Sequence, residues 1–448
     1  MYHMNTPEEQ DIKTLQDIVT LVSDGQTTLA EEKLSDFFLA ESGVAILQFS
    51  DAFLFWIYEK QDTIDLDALF DFAVHLVKTS RTEEVIKFGL SMLELFSLEI
   101  SKDATMRTLI ITFAKASEFT LFSLYIIEHW DDSSEVIFEI AQKVSGWGKV
   151  HAVRFLEPSN ESMKYWLLTE GFRDEILSEY LALPCIEKGE LLEHLEQQNL
   201  SEKDLNPISE LLQCALLKGP APNLTDYEQA EDLLEAYLTW ICTFPPTLSA
   251  LETVYAFGNV INNRWEKKDS LLKASTRYME SVAAKETLSL AVQKGKGFSL
   301  AKNLGIDCSE AFLAALDQNF FENYPYIYLL NADESAMKKA IDLVQEKLPL
   351  EIIASGPINR NVYTEEFKSH HALQHIEQFL SPFPGTGEKL LLAGLFSPLP
   401  NSRIMALKVL KEWRAKDAVI SPDLLEAVEE LKKQEVNKNI QNYLAENW

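Results

Sequence analysis

The chain has 448 residues, 46% of them apolar, with 25 Phe and 8 Trp but only 16 Gly and 16 Pro, a composition that favours packed helices over disorder or an all-β chain built on tight turns. Lys and Arg number 40 against 70 Asp and Glu, a net charge of −30, so the field of the whole molecule repels nucleic-acid phosphates and anionic membrane surfaces. The four cysteines, Cys185, Cys214, Cys242 and Cys308, stand too far apart for a CxxC motif and are too few to staple a chain of this length, which points to buried, inert thiols in a reducing cytoplasm.

In chain order, the N-terminus from Met1 to Glu9 shows no basic segment followed by an apolar run, so no secretory signal is expected there. Residues 1–143 read as divergent N-terminal helical repeats or a cap. Residues 1–140 carry 26 acidic against 9 basic side chains, so a basic partner would meet this half first. Apolar residues recur at helical spacing, as over Thr82–Ser97, where Ile86, Leu90, Leu93 and Phe96 are expected on one stripe. Breakers at 131–134, 157–160, 218–222, 355–357 and 381–385 separate such segments. Two further regions of helical repeats are expected over 144–218 and 227–448, joined by a Pro/Gly linker at 219–226. The longest uncharged run, Ala236–Leu251, is broken by Pro245-Pro246 and is too short to span a bilayer.

The clearest unit is Lys389–Arg414. A first helix ends near Leu395, Pro398 and Pro400 make the corner, and Asn401 or Ser402 is expected to cap a second helix with Ile404, Leu407 and Leu410 inward. The run from Lys149 to Leu156 aligns with that from Arg403 to Leu410 under the pattern [KR]-[VI]-x-A-[VL]-[RK]-x-L. Its alanine, Ala152 or Ala406, lets paired helices approach closely. Its leading base opposes the helix dipole, so Lys149 and Arg403 are expected to pair with carboxylates of a neighbouring repeat.

Pro398, Arg403, Ala406, Leu407 and Leu410 sit where a HEAT repeat carries its proline, basic residue, alanine and leucines, and this unit resembles one. Val144–Gly189 and Ser369–Leu407 together resemble a family of uncharacterised bacterial HEAT-like proteins, some of whose members carry the name limonene hydroxylase. The resemblance implies an all-α fold, an α-solenoid of stacked antiparallel helix pairs in a HEAT/armadillo-like superhelix. It carries over no catalytic residue.

Candidate sites are few. Trp147, Lys149, His151 and Arg154 gather indole, ammonium, imidazole and guanidinium groups at a repeat start, and Asn262, Asn263, Arg264 and Trp265 gather amides, a guanidinium and an indole. Arg and Trp are the commonest anchors of protein interfaces. If second helices line a concave face, Lys149, Arg154 and Arg403 would share one groove and point to solvent; inter-repeat salt bridges are the alternative. His371 and His375, at i and i+4 beside His370 and Glu377, are weak candidates for metal ligands, without an evident third ligand. No GxGxxG follows a strand, and Gly385-Thr386-Gly387-Glu388-Lys389 lacks phosphate-loop spacing, so no cofactor is expected. The leading expectation is a non-enzymatic scaffold that binds a protein or peptide on its concave face. The alternatives are an enzyme with a concealed pocket, such as the hydroxylase named for relatives, and, more weakly, a nucleic-acid binder like the HEAT-like alkylpurine DNA glycosylases.

Overall fold

A computed structural model describes residues 9–40, 46–261, 264–358, 362 and 364–448. Every regular element among the described residues is helical, and none of these helices is long and apolar enough to cross a membrane. The breakers at 157–160, 218–222, 355–357 and 381–385 fall between helices, and the one at 131–134 ends in the first turn of Ser133–Ala141. Side-chain caps set several helix starts: Asp65 accepts from Ala68 N at 3.0 Å, Asp103 from Thr105 N at 2.8 Å and Met106 N at 3.0 Å, and Asp333 from Ala336 N at 2.9 Å. Each satisfies backbone donors that the first turn leaves open, worth about 1 kcal/mol.

The chain divides into two compact units, Met1–Pro245 with Ala256–Ser275, and Pro246–Tyr255 with Thr276–Trp448. Residues 219–226 lie inside the first. In that unit Leu66–Thr79 packs on Glu83–Glu94, Ala104–Ala114 on Thr120–Ile127, and Ser133–Ala141 on Gly146–Phe155. The second members also touch in succession: Glu83–Glu94 meets Thr120–Ile127, which meets Gly146–Phe155, which meets Ser178–Lys188. The expected single stripe on Glu83–Glu94 is broader in the structure. Val85, Phe88, Leu90, Met92 and Leu93 are all buried, because this helix has neighbours on several sides, while Ile86 is half-buried.

Close approach needs small side chains. A methyl group at Gly148 would stand 2.9 Å from Thr120 Oγ1 and 3.1 Å from Ser117 Cα, so this glycine sets the distance between Gly146–Phe155 and the preceding helix pair. Ala152 and Ala406, the alanines of the repeat pattern, have no exposed surface.

In the second unit Glu388–Leu395 packs on Pro400–Ala415, which also meets Lys368–Glu377, and Glu388–Leu395 meets Pro422–Gln434. The expected cap at this corner is corrected. Leu399 occupies the N-cap without a side-chain bond, and Pro400 opens the helix, its missing N–H falling where no intrahelical partner exists. Ser402 lies in the first turn, and its hydroxyl donates to Glu377 Oε2 at 2.7 Å instead.

Side-chain bonds to distant main-chain carbonyls link residues at varied separations, such as 21 between Lys149 and Glu170 and 50 between His375 and Pro325, and several step 30 to 35. Lys188 Nζ donates to Leu156 O across 32 residues, Lys347 Nζ to Asp317 O across 30, Trp413 Nε1 to Leu380 O across 33 and Lys416 Nζ to Ser381 O across 35. Each step spans roughly one helix, its turn and the next helix.

Candidate functional site

Gly146–Phe155 begins at Gly146, where φ is +59° and whose N–H donates to Asp174 Oδ2 at 2.7 Å. Burial acts to raise the Asp174 pKa, but backbone N–H donors from Ile176, Gly146 and Leu177 outweigh it and hold the carboxyl below its ordinary value. The helix is thereby fixed at its first residue to the turn that precedes Ser178–Lys188.

Gly148, Lys149, Val150, Ala152 and Val153 are buried. Trp147, His151 and Arg154, at i, i+4 and i+7, share the opposite stripe. Trp147 keeps 50% of its surface exposed, its ring centroid 5.0 Å from Tyr180 and 6.2 Å from His151. Burial, and then the charge of Arg154, push the His151 pKa below its ordinary value, which favours a neutral imidazole at neutral pH. Arg154 is exposed and borders a shallow cleft of about 310 Å³ shared with Glu128, Ser134, Ile137 and Glu157. An exposed indole, an imidazole and a guanidinium thus follow one another along a single ridge.

Lys149 does not belong to that ridge. It is 9% exposed and donates to Glu170 O at 3.3 Å and Arg173 O at 2.5 Å. The expected carboxylate partner is therefore corrected to backbone carbonyls. These carbonyls end the helical run that continues from Glu161–Trp166 through the π-helical Leu167–Gly171, where acceptors lack intrahelical donors. Burial lowers the Lys149 pKa, against the opposing influence of Cys185, Asp174 and Glu170.

Arg403 meets its expected carboxylate and leaves the expected groove. It has no exposed surface. Nε donates to Glu435 Oε2 at 2.7 Å, Nη2 to Glu435 Oε1 at 2.8 Å and Ile358 O at 3.1 Å, and Nη1 to Ser397 O and Pro398 O at 2.8 Å each. These bonds employ all five guanidinium N–H groups. The carboxylate is held in turn by Val436 N at 2.9 Å and Asn437 N at 2.8 Å. Of the three bases expected to line a groove, only Arg154 reaches solvent, because the other two satisfy main-chain acceptors inside their own units.

The remaining candidates are dispersed. Asn262 and Asn263 lie outside the described residues; Arg264 is exposed and Trp265 half-buried. His371 Nε2 stands 2.7 Å from Val362 O and His375 Nε2 3.1 Å from Pro325 O, so each imidazole engages a carbonyl of a different segment. Among the described residues no group of three His, Cys, Asp or Glu side chains is placed to share a metal ion. Cys185 and Cys308 are buried, as expected, but Cys214 is half-buried and Cys242 exposed. Burial pushes the Cys185 thiol far up, which suits an inert side chain.

Two features had no counterpart in the sequence reading. Tyr180 completes the Trp147 surface from a helix more than twenty residues downstream. Glu377 is wholly buried, with Oε2 bonded to Ser402 and Oε1 without a partner. Burial raises its pKa well above the ordinary value, although the Ser402 hydroxyl opposes the shift, which favours the protonated form. Gly394 makes the room: a methyl group there would fall 1.6 Å from Glu377 Oε1. Comparison with protein-family models, curated proteins and solved structures finds no match for this chain.

Proposed function

We propose that the chain is a HEAT-like scaffold of stacked helix pairs that binds a protein partner through the ridge Trp147–His151–Arg154, with Tyr180 beside it. The half-exposed Trp147 carries this reading. An indole held at the surface by a neighbouring ring is rigid and amphipathic, needs little ordering on binding, and sits beside an arginine, the pairing most enriched at interface hot spots. The repeat arrangement is supported by the successive packing of second helices in the first unit and by several polar contacts that step 30 to 35 residues. The acidic surplus, 70 against 40, favours a basic partner over a nucleic acid.

The test is affinity purification from the native host with wild type and with Trp147→Ala combined with Arg154→Glu. A specific protein recovered at near-stoichiometric yield with wild type, and lost at least tenfold in the variant, supports the ridge. Equal recovery by both rejects it. An oxygen-activating role, the alternative implied by resemblance, requires a haem, flavin or metal, and the absorbance and metal content of the purified protein distinguish it.

A further inference from the structure

The second unit contains a cleft of about 630 Å³, within the size range of small-ligand sites. One wall is Leu248–Phe257, which contributes Glu252. Another is the loop that carries Lys294, Gly295, Lys296 and Gly297, and the floor is built from Ala311, Ala314 and Ala315 of Ser309–Gln318. The loop is held by its main chain. Lys296 N donates to Ala291 O at 2.9 Å and Gly295 N to Val292 O at 3.0 Å, the paired bonds that end a helix over a left-handed residue, here Gly295 at φ +77°. A methyl group at Gly297 would stand 2.8 Å from Leu248 Cδ1, so the loop lies tight against the opposite wall.

The cleft's charges are unspent. Among the described residues no ion pair reaches Lys294, Lys296 or Glu322, all exposed, and none reaches the half-buried Glu252. Burial raises the Glu252 pKa above its ordinary value. Asn323 adds a buried polar group: it is 7% exposed, and both of its amide hydrogens are committed, to Ala315 O at 3.2 Å and Asn319 O at 3.0 Å. Its carbonyl oxygen is left as an acceptor.

We infer that this cleft binds a small zwitterion of the free amino acid or unblocked short-peptide class, its ammonium facing Glu252 and its carboxylate facing Lys294 and Lys296. A purely anionic ligand would leave Glu252 unpaired and half-buried beside a second carboxylate, Glu322, and a purely cationic one would make no use of the two lysines of the loop. A dipolar molecule satisfies both ends, and the small alanine floor accommodates its body.

The test is calorimetric titration of the full chain with triglycine, N-acetyl-triglycine and triglycinamide, which share a backbone and differ only in terminal charge. Triglycine should bind tightest, with loss of either charge weakening binding about fivefold, the scale of one partly exposed ion pair. Glu252→Gln should abolish the difference between triglycine and its N-acetyl form only, and the pair Lys294→Gln and Lys296→Gln the difference between triglycine and its amide only. Circular dichroism confirms that each variant folds. Equal affinities for all three probes, no binding at millimolar concentration, or variants that fail to separate the two charges would each overturn the inference.

Discussion

Replacing Arg403 with Met removes five hydrogen bonds while keeping most of the side-chain volume. Glu435 would then remain buried, held only by Val436 N and Asn437 N, and the carbonyls of Ser397, Pro398 and Ile358 would each lose the guanidinium, Pro398 O keeping Ile358 N at 3.2 Å. Breaking a buried pair from one side costs about 3–5 kcal/mol, because it leaves an uncompensated charge. Adding Glu435→Gln removes that charge, so the double variant should recover about 1–2 kcal/mol of the loss, as a favourable coupling in a double-mutant cycle. Unfolding of a chain with two compact units need not be one transition. Urea denaturation is therefore best paired with hydrogen exchange across Pro400–Ala415, whose Trp413 is fully buried and bonded to Leu380 O at 3.1 Å. A change below about 0.5 kcal/mol in Arg403→Met, the scale of an ordinary surface substitution, would refute the argument that this network fastens the unit.

Other outcomes follow from the same packing. Glu377 has a folded pKa above 4.5, so its contribution to stability is full below the unfolded value and is lost as pH rises through the folded one. Glu377→Gln should accordingly gain in melting temperature relative to wild type as pH rises above 4.5, whereas a difference constant with pH would contradict a raised carboxyl pKa. Gly394→Ala drives a methyl group into Glu377 Oε1 and should cost about 1–3 kcal/mol or more, a loss that shrinks in the Glu377→Ala background if the clash is the cause. In the native protein a disulfide reagent should modify Cys242 fast and leave Cys185 and Cys308 unmodified until unfolding. Trp147→Ala should change stability by less than about 1 kcal/mol, since half of the side chain already faces water.

The helices and their breaks were legible because punctuation by Pro, Gly and acidic pairs is local chemistry. The small residues of the repeat pattern were legible as interior positions, and Ala152 and Ala406 are fully buried. Side-chain partners were less so. Arg403 found a carboxylate, as a guanidinium with five donors in a low-dielectric setting demands. Lys149, at the aligned position, found helix-end carbonyls, because the π-helical turn at Leu167–Gly171 places acceptors there and nothing in the local sequence marks it. The ridge itself was half visible: the spacing 147, 151, 154 separates these residues from Lys149 on a helical face, but Tyr180 arrives through tertiary packing. Glu377 follows two histidines in the sequence without any mark of its own, and only the fold shows that Gly394 and Ser402 enclose it.

The ridge is tested most directly by photo-crosslinking. A photoreactive side chain in place of Arg154, and another in place of the buried-face residue Val153, would be introduced into the chain in its native host. The expected result is one dominant crosslinked protein from position 154, absent from position 153 and lost when Trp147→Ala is added. Crosslinks of equal yield from both positions, or a product indifferent to Trp147, would contradict a partner seated on this surface.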